Sequence, residues 1–304
     1  MKKPRTTEVE SGSELLEKIK GAALVAMVSD DELMDILVLK GGNALNLVHK
    51  LSTRNSMDLD FSMEKDFFDG QMDKLQRTFQ RVLDKSFSTL HLKVFDVVFM
   101  KKPEELPDEL KSFWGGYRLE YKLIEVEKYG ENEQNIQELR KYAIRAAGKQ
   151  KFEIEFSPFE FVATKSAVQF NDYTVHVYSP LMIVCEKMRA ICQQTDEYGV
   201  VINRQKPKPR PRDFYDIYYI VKKLQVDLFS SASLEIVRQM FAVKHVPLSI
   251  LNILEKYRSL HKEDEQALYA TLKTDSEMLD FDDYFNFVLP LTRKLYLALG
   301  SPVS

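Results

Sequence analysis

The spacing of apolar residues changes character near residue 179. Before it, helical and strand periods alternate; after it, only the helical period is seen. Residues 14–28, ELLEKIKGAALVAMV, have helical spacing. DILVLKGG follows, a short apolar run ended by Gly41 and Gly42 that suits a buried strand. Residues 43–51 predict a short helix, MDLDFSM alternates as a strand, and residues 66–87 predict a long amphipathic helix. Strands are predicted over 92–100, 116–129, 151–157 and 172–179, with a loop at KKPEELPDE and a helix over 133–147. From Ser179-Pro180 onward every periodic segment reads as helix. The pattern therefore divides the chain into an α/β part, 1–179, and an all-helical part, 180–304.

The chain has 304 residues, 44% hydrophobic and 29% charged, which is enough to bury a substantial core. A net charge of -3 gives no global attraction to polyanions, so a nucleic-acid partner would have to meet a local basic patch. No apolar segment suggests a signal peptide or a membrane span. Cys185 and Cys192 lie seven residues apart in a predicted helix, about 10 Å along its axis. That is beyond disulfide reach, so both are expected to be reduced and the compartment cytosolic. The histidines and cysteines show no zinc spacing, and no Walker A or G-x-S-x-G motif occurs.

The stretch LKGGNALNLVHKLSTRNSMDLDFS, from Leu39 to Ser62, carries most of the chemistry. On a strand Asp58 and Asp60 point to one face, and Leu59 and Phe61 to the other. Two carboxylates about 6.5 Å apart repel by roughly 2.5 kcal/mol at an effective dielectric of 20. Arg54 is the one nearby cation in the stretch, and oxygen ligands on one face suit Mg²⁺. A solvated strand edge would carry the same pattern without a metal. Upstream, Gly41 and Gly42 permit close backbone approach, and Asn43 reads as the N-cap of a helix whose free N–H groups face an anion. A plain strand-to-helix turn is the simpler reading of the glycines alone. Taken in order, an anion cradle followed by a metal pair is what a nucleoside triphosphate with Mg²⁺ requires.

Lys40, Gly41, Gly42 and Leu45, then Arg54, Ser56, Asp58, Leu59, Asp60, Phe61 and Ser62, resemble the opening motif of the AbiEii-type nucleotidyltransferases. These are the toxin halves of abortive-infection and type IV toxin–antitoxin systems, with a core similar to DNA polymerase β. The motif reads roughly K-G-G-T/S-x-L, then R-x-S-x-D-L-D-F-S. This chain departs at Asn43, where the family carries a hydroxyl residue; an amide can still donate to a phosphate oxygen. KFEIEFS resembles the strand that supplies a third acid, with Glu155 in that place and Glu153 two residues before it on the same face. SPLMIVCEKMRAICQQ and RPRDFYDIYYIV resemble the closing motif, E/D-K-x-x-A and then R-D-x-x-D, at Lys187, Ala190, Arg212, Asp213 and Asp216.

The resemblance implies a polymerase β-like nucleotidyltransferase core with a mixed sheet, α/β (α+β) in class, followed by the helical domain. It implies Mg²⁺ (or Mn²⁺) on Asp58, Asp60 and Glu155. It implies NTP bound by Lys40, Gly41, Gly42, Asn43, Arg54, Ser56, Lys187 and Asp216, with Lys187 and Asp213 in the catalytic set. The implied acceptor is RNA, a tRNA 3′ end, and the implied protein partner is an antitoxin. Arg204, Lys206, Lys208, Arg210 and Arg212 form a proline-stiffened basic loop that could guide such an acceptor by phosphate contacts, or be a solvated linker. A nucleotide-binding or partner-binding module without turnover is the alternative reading, resting on Asn43 and on the open choice between Glu153 and Glu155. Transfer to a protein or a small molecule is a further enzymatic alternative.

Overall fold

The alternating segments pair into a single mixed sheet. The computed structural model describes residues 12–51, 54, 56, 58–67, 70–203, 206–273 and 278–300. The strands are β1 (Val38–Lys40), β2 (Leu59–Ser62), β3 (Leu92–Lys102), β4 (Gly116–Glu125), β5 (Phe152–Ser157), β6 (Ser166–Phe170) and β7 (Tyr173–Val177). Their order is β3-β4-β5-β2-β1-β7-β6. β2 runs parallel to β5 and β1 parallel to β7; the other neighbours are antiparallel.

Alternation along β2, β4 and β5 sorts the side chains. Phe61, Phe156, Leu119 and Ile154 are buried, while Asp60, Glu155 and Arg118 remain partly exposed. Phe156 packs on Phe61, Phe79 and Phe67, with ring centroids 5.9, 5.3 and 5.8 Å away. Because side chains repeat every second residue, a one-residue slip would put the acids into this aromatic layer; the layer therefore fixes the register of the polar face.

The helices are α1 (Gly12–Val28), α2 (Asp31–Ile36), α3 (Gly41–Asn43, continuing as a π-helical turn over Ala44–Val48), α4 (Met72–Ser88), α5 (Val126–Asn132) and α6 (Ile136–Lys141). Beyond the sheet come α7 (Pro180–Cys192), α8 (Asp196–Val201), α9 (Pro211–Leu224), α10 (Ser231–Ala242), α11 (Arg258–Lys262), α12 (Glu265–Tyr269) and α13 (Phe281–Gly300), with short 3₁₀ turns between α10 and α11. α7 begins at a good start signal: Ser179 accepts from Met182 N, and Pro180 occupies the first turn. It is buried on most sides, including Lys187 and Arg189.

Several expectations shift. The strand expected over DILVLKGG is only Val38–Lys40, because Asp30 caps α2 through Leu33 N. The strand expected over 116–129 ends at Glu125 and α5 follows; β6 was not expected. The helix expected over 133–147 spans only Ile136–Lys141. Strands end at Val177 and α7 starts at Pro180, close to the expected change at 179, but one hydrophobic cluster runs across it, from Phe61 and Val177 to Met182, Phe214 and Phe285. Cys185 and Cys192 are buried and free. No helix is long and apolar enough to cross a membrane, among the described residues.

Candidate active site

The polar face of the sheet and the helices after Pro180 enclose a cleft of about 1180 Å³. Lys40, Gly41, Gly42, Arg54, Ser56, Asp58, Asp60, Glu155, Lys187, Lys208, Arg210, Arg212 and Asp213 all line it. Residues spread over more than 170 positions of sequence thus meet in one place.

Across four adjacent strands the register aligns Arg118 with Glu155, Glu155 with Asp60, and Asp60 with Lys40. Arg118 donates to Glu155 Oε1 at 2.8 Å and lies 3.3 Å from Glu153, and Lys102 donates to the same Glu155 oxygen at 3.0 Å. Asp58 sits just before β2 and is paired with Lys149 at 3.0 Å. Of the cleft's partly buried acids, only Asp60 accepts no hydrogen bond and no close ion pair among the described residues. Burial pushes its pKa up to about 7; nearby Glu155, Glu186 and Asp58 add to this and Lys40 opposes it.

The glycines shape the approach to Asp60. Gly41 has φ +68°, and a Cβ there would stand 3.0 Å from Asp60 Oδ2. A Cβ on Gly42 would stand 2.9 Å from both Cβ and Oγ of Ser56. No other residue type fits Gly42 without moving Ser56, and both glycines line the cleft.

Two buried charge networks support the cleft. In the first, Arg54 donates to both oxygens of Asp216, at 2.8 and 2.6 Å, 162 residues away in sequence. Lys187 Nζ lies 2.7 Å from Asp216 and 2.9 Å from Asp213, and Arg210 Nε donates to Asp213. Burial opposes the charge of both carboxylates, but the surrounding cations prevail and hold both pKa values below the usual range. In the second network, Glu160 accepts from Arg189 at 2.6 and 3.1 Å, with Lys244 at 3.6 Å and Lys40 at 3.7 Å. Burial works against that carboxylate, yet the cations bring its pKa down to about 2. Lys244 also donates to the carbonyls of Phe113 and Pro158, and burial lowers its pKa to about 8. Arg189 also lies 3.6 Å from Glu186, so three cations meet two acids and this part of the cleft wall keeps a net positive charge.

These contacts correct some sequence expectations. Asn43 does not cap α3: Lys40 precedes the first turn, and Asn43 Nδ2 donates to Asp58 O at 2.6 Å. Its amide nitrogen thereby ties the first turn of α3 to the backbone of Asp58. Asp216 lies 3% exposed behind the cleft wall, with both oxygens taken by Arg54. Lys187 faces the cleft with its ammonium already held by two carboxylates. Asp213 lies in the first turn of α9, after Pro211, and is buried. In the basic loop Lys208 and Arg212 are exposed at the cleft, Arg210 is committed to Asp213, Lys206 is exposed away from it, and Arg204 lies outside the described residues. Lys102, Arg118, Lys149, Glu160 and Lys244 were not anticipated. Strand pairing alone reveals Arg118, and nothing local distinguishes Glu160 or Lys244.

Among the described residues no three His, Cys, Asp or Glu side chains converge closely enough to hold an ion. The hard oxygen donors that share the cleft and lie nearest one another in the sheet are Asp58, Asp60 and Glu155, and to share an ion they would have to draw together. Lysine and arginine partners occupy two of them, and the unpartnered, proton-attracting Asp60 marks a point short of positive charge.

Residues 22–289 match the family described as Nucleotidyl transferase AbiEii toxin, Type IV TA system. The chain belongs to that family. As an AbiEii-type toxin it is a member of a nucleotidyltransferase family, and its seven-stranded mixed sheet with C-terminal helices has a nucleotidyltransferase-like fold. The fold is similar to the crystal structure of a candidate nucleotidyltransferase from Helicobacter pylori, with 15% identity and a TM-score of 0.52 over 97% of this chain and 100% of that one. JHP933, also from H. pylori, aligns at 15% identity and a TM-score of 0.49 over 95% of each chain. No curated protein sequence matches this AbiEii-type chain.

Proposed function

We propose that the protein moves a nucleoside monophosphate from an NTP to an acceptor hydroxyl, the 3′ end of a tRNA, with Mg²⁺ or Mn²⁺ as cofactor. Such transfer would block translation, and an antitoxin partner would restrain it in an abortive-infection or phage-defence setting. The observation that carries this reading is Asp60: an unpartnered carboxylate, aligned with Glu155 across parallel strands and pressed against Gly41.

Asp58, Asp60 and Glu155 would hold the divalent ion, which supplies charge neutralisation for the phosphates when bound. The triphosphate would lie along Gly41 and Gly42 beside Ser56, with the Lys40 and Lys244 ammonium groups, which line the same cleft, to meet its charge. The acceptor oxygen attacks the α-phosphorus, an O–P bond forms, the bond to the β-phosphate oxygen breaks, and pyrophosphate leaves with the electron pair. Glu155 takes the hydroxyl proton. Its alignment with Asp60 favours it over Glu153, which lies two residues before that register. Lys187, Asp213, Arg54 and Asp216 act by position, fixing the first turn of α9 and the basic loop that precedes it. Lys208 and Arg212 line the acceptor's path with positive charge. Catalysis is then mostly positioning and charge complementarity.

Incubation with each labelled NTP, Mg²⁺ and total tRNA tests this reading. Label should appear on RNA 3′ ends with wild type and vanish with Asp60→Ala; transfer that survives the substitution refutes the role of Asp60. The pairing of Asp58 with Lys149 and of Glu155 with Lys102 favours a second reading, a binding module without turnover. Calorimetry showing tight NTP binding, with no transfer to any acceptor, would establish it.

A further inference from the structure

The cleft is lined largely by charged side chains, which account for phosphates but give a nucleobase no flat surface. We propose that Trp114 is the platform on which the base of the bound nucleotide stacks; this rests on the reading of the cleft as an NTP site.

Trp114 is the single tryptophan of the chain, and it lines the cleft. The other aromatic residues on the lining, Tyr117 and Phe156, are 6% and 1% exposed and turn their rings into the core. Trp114 is only partly buried, so part of its surface faces the cavity. It also leans on the buried ring of Tyr198, with centroids 6.0 Å apart.

The loop that carries the ring is fixed by its own backbone. Trp114 N donates to Leu110 O at 2.8 Å. Gly115, at φ +93°, has no room for a Cβ, which would lie 2.4 Å from Leu106 Cδ1; on Gly116 a Cβ would lie 2.5 Å from Phe156 O. Gly115 thus lets the loop close on Leu106, and Gly116 lets it press against the end of β5, which sets the backbone of Trp114 beside the cleft. Pre-organised aromatic surface gains stacking energy at little cost in ordering.

The position suits a base. The preceding residue, Phe113, accepts a hydrogen bond from Lys244 at 3.1 Å, so Trp114 borders the positive cluster around Glu160. Arg118 and Asp60 are separated by one intervening strand, about 10 Å apart. Trp114 precedes Arg118 by four residues, at most about 14 Å of chain. Because β4 runs antiparallel to β5 and β2, the chain before Arg118 leads toward the Ser62 end of β2, away from Asp58, and Trp114 and Asp60 line the same cleft. Stacking tolerates any base, so the platform supplies affinity for nucleosides over bare polyphosphate and leaves base choice to other groups.

Because there is one tryptophan, its emission reports on this ring alone. Full-length protein is titrated with ATP, GTP, CTP, UTP and tripolyphosphate, by fluorescence and by calorimetry. The proposal expects saturable quenching by at least one NTP, at the concentration range calorimetry gives, and none by tripolyphosphate. Trp114→Ala should weaken NTP binding about 5- to 150-fold and leave tripolyphosphate within twofold, and Trp114→Phe should restore most of the NTP affinity. NTP binding without a change in wild-type emission overturns the platform and leaves the NTP site standing. Equal losses for NTP and tripolyphosphate in Trp114→Phe overturn it as well. A wild-type protein that binds no NTP removes both readings.

Discussion

Asp60 stands opposite Glu155 in the parallel pairing of β2 with β5, so two carboxylates share one sheet face across adjacent strands. Lys102 and Arg118 compensate Glu155, whereas Asp60 has only the attraction of Lys40 against burial and its acidic neighbours. Its raised pKa means that the metal-free protein loses stability as pH climbs from the unfolded value near 4 to about 7. Asp60→Asn should therefore raise the melting temperature of metal-free protein at pH 8, with the gain fading by pH 4. The same substitution should lower nucleotidyl transfer by about 10²–10³-fold. Thermal melts in EDTA and a transfer assay measure the two effects.

Arg54 and Asp216 form a two-pronged pair buried with Lys187. Removing one member leaves an uncompensated buried charge. Asp216→Asn and Arg54→Met should each cost about 3–5 kcal/mol in urea unfolding. The double variant should cost less than the sum of the two, because the charges disappear together.

Gly42 touches Ser56 where a Cβ would need to be. Gly42→Ala should destabilise by about 1–3 kcal/mol through overpacking and weaken NTP binding. Gly42→Ala combined with Ser56→Gly should recover stability. Urea midpoints and calorimetry on the two proteins check this.

His261 is buried; its Nδ1 accepts from Arg210 N at 3.2 Å, and Nε2 has no partner among the described residues. Burial depresses its pKa to about 4; Asp213 opposes that and Arg210 adds to it. The unfolded chain binds this proton near pH 6.5 and the folded chain resists it, so stability falls as pH drops from 6.5 to 4, by up to about 3 kcal/mol. His261→Leu should flatten the dependence of the melting temperature over that window.

Lys208 and Arg212 are the exposed cations of the basic loop at the cleft. Replacing both by alanine should weaken acceptor RNA binding and reduce the slope of log K against log salt by about 1.4. Binding of NTP, measured in the same proteins, should change less than acceptor binding.

Much of this was legible in the sequence. The Lys40–Asn43 and Asp58–Ser62 segments announce themselves because the constraints on them are local: glycines where a backbone must pass closely, and alternation that sorts acids from aromatics. The family match over residues 22–289 agrees with that reading. The change from strands to helices near Pro180 was visible for the same reason, in the period of the apolar residues. Local pattern failed at α2, α5 and β6, which are short segments beside turns. It also failed at Asn43, whose side chain faces Asp58 O only because the π-helical turn and β2 meet there.

The sequence by itself determined which segments could carry chemistry, since spacing and residue type decide what a strand or turn can present. Only the tertiary structure decided the partners. Register set Asp60 beside Glu155, packing of α9 behind the cleft wall gave Asp216 to Arg54, and the end of α10 delivered Lys244 to Glu160. The physical reason is range. Periodicity and capping act over a few residues, whereas charge pairing in a buried site joins whatever side chains the fold brings together, however far apart they lie in the chain.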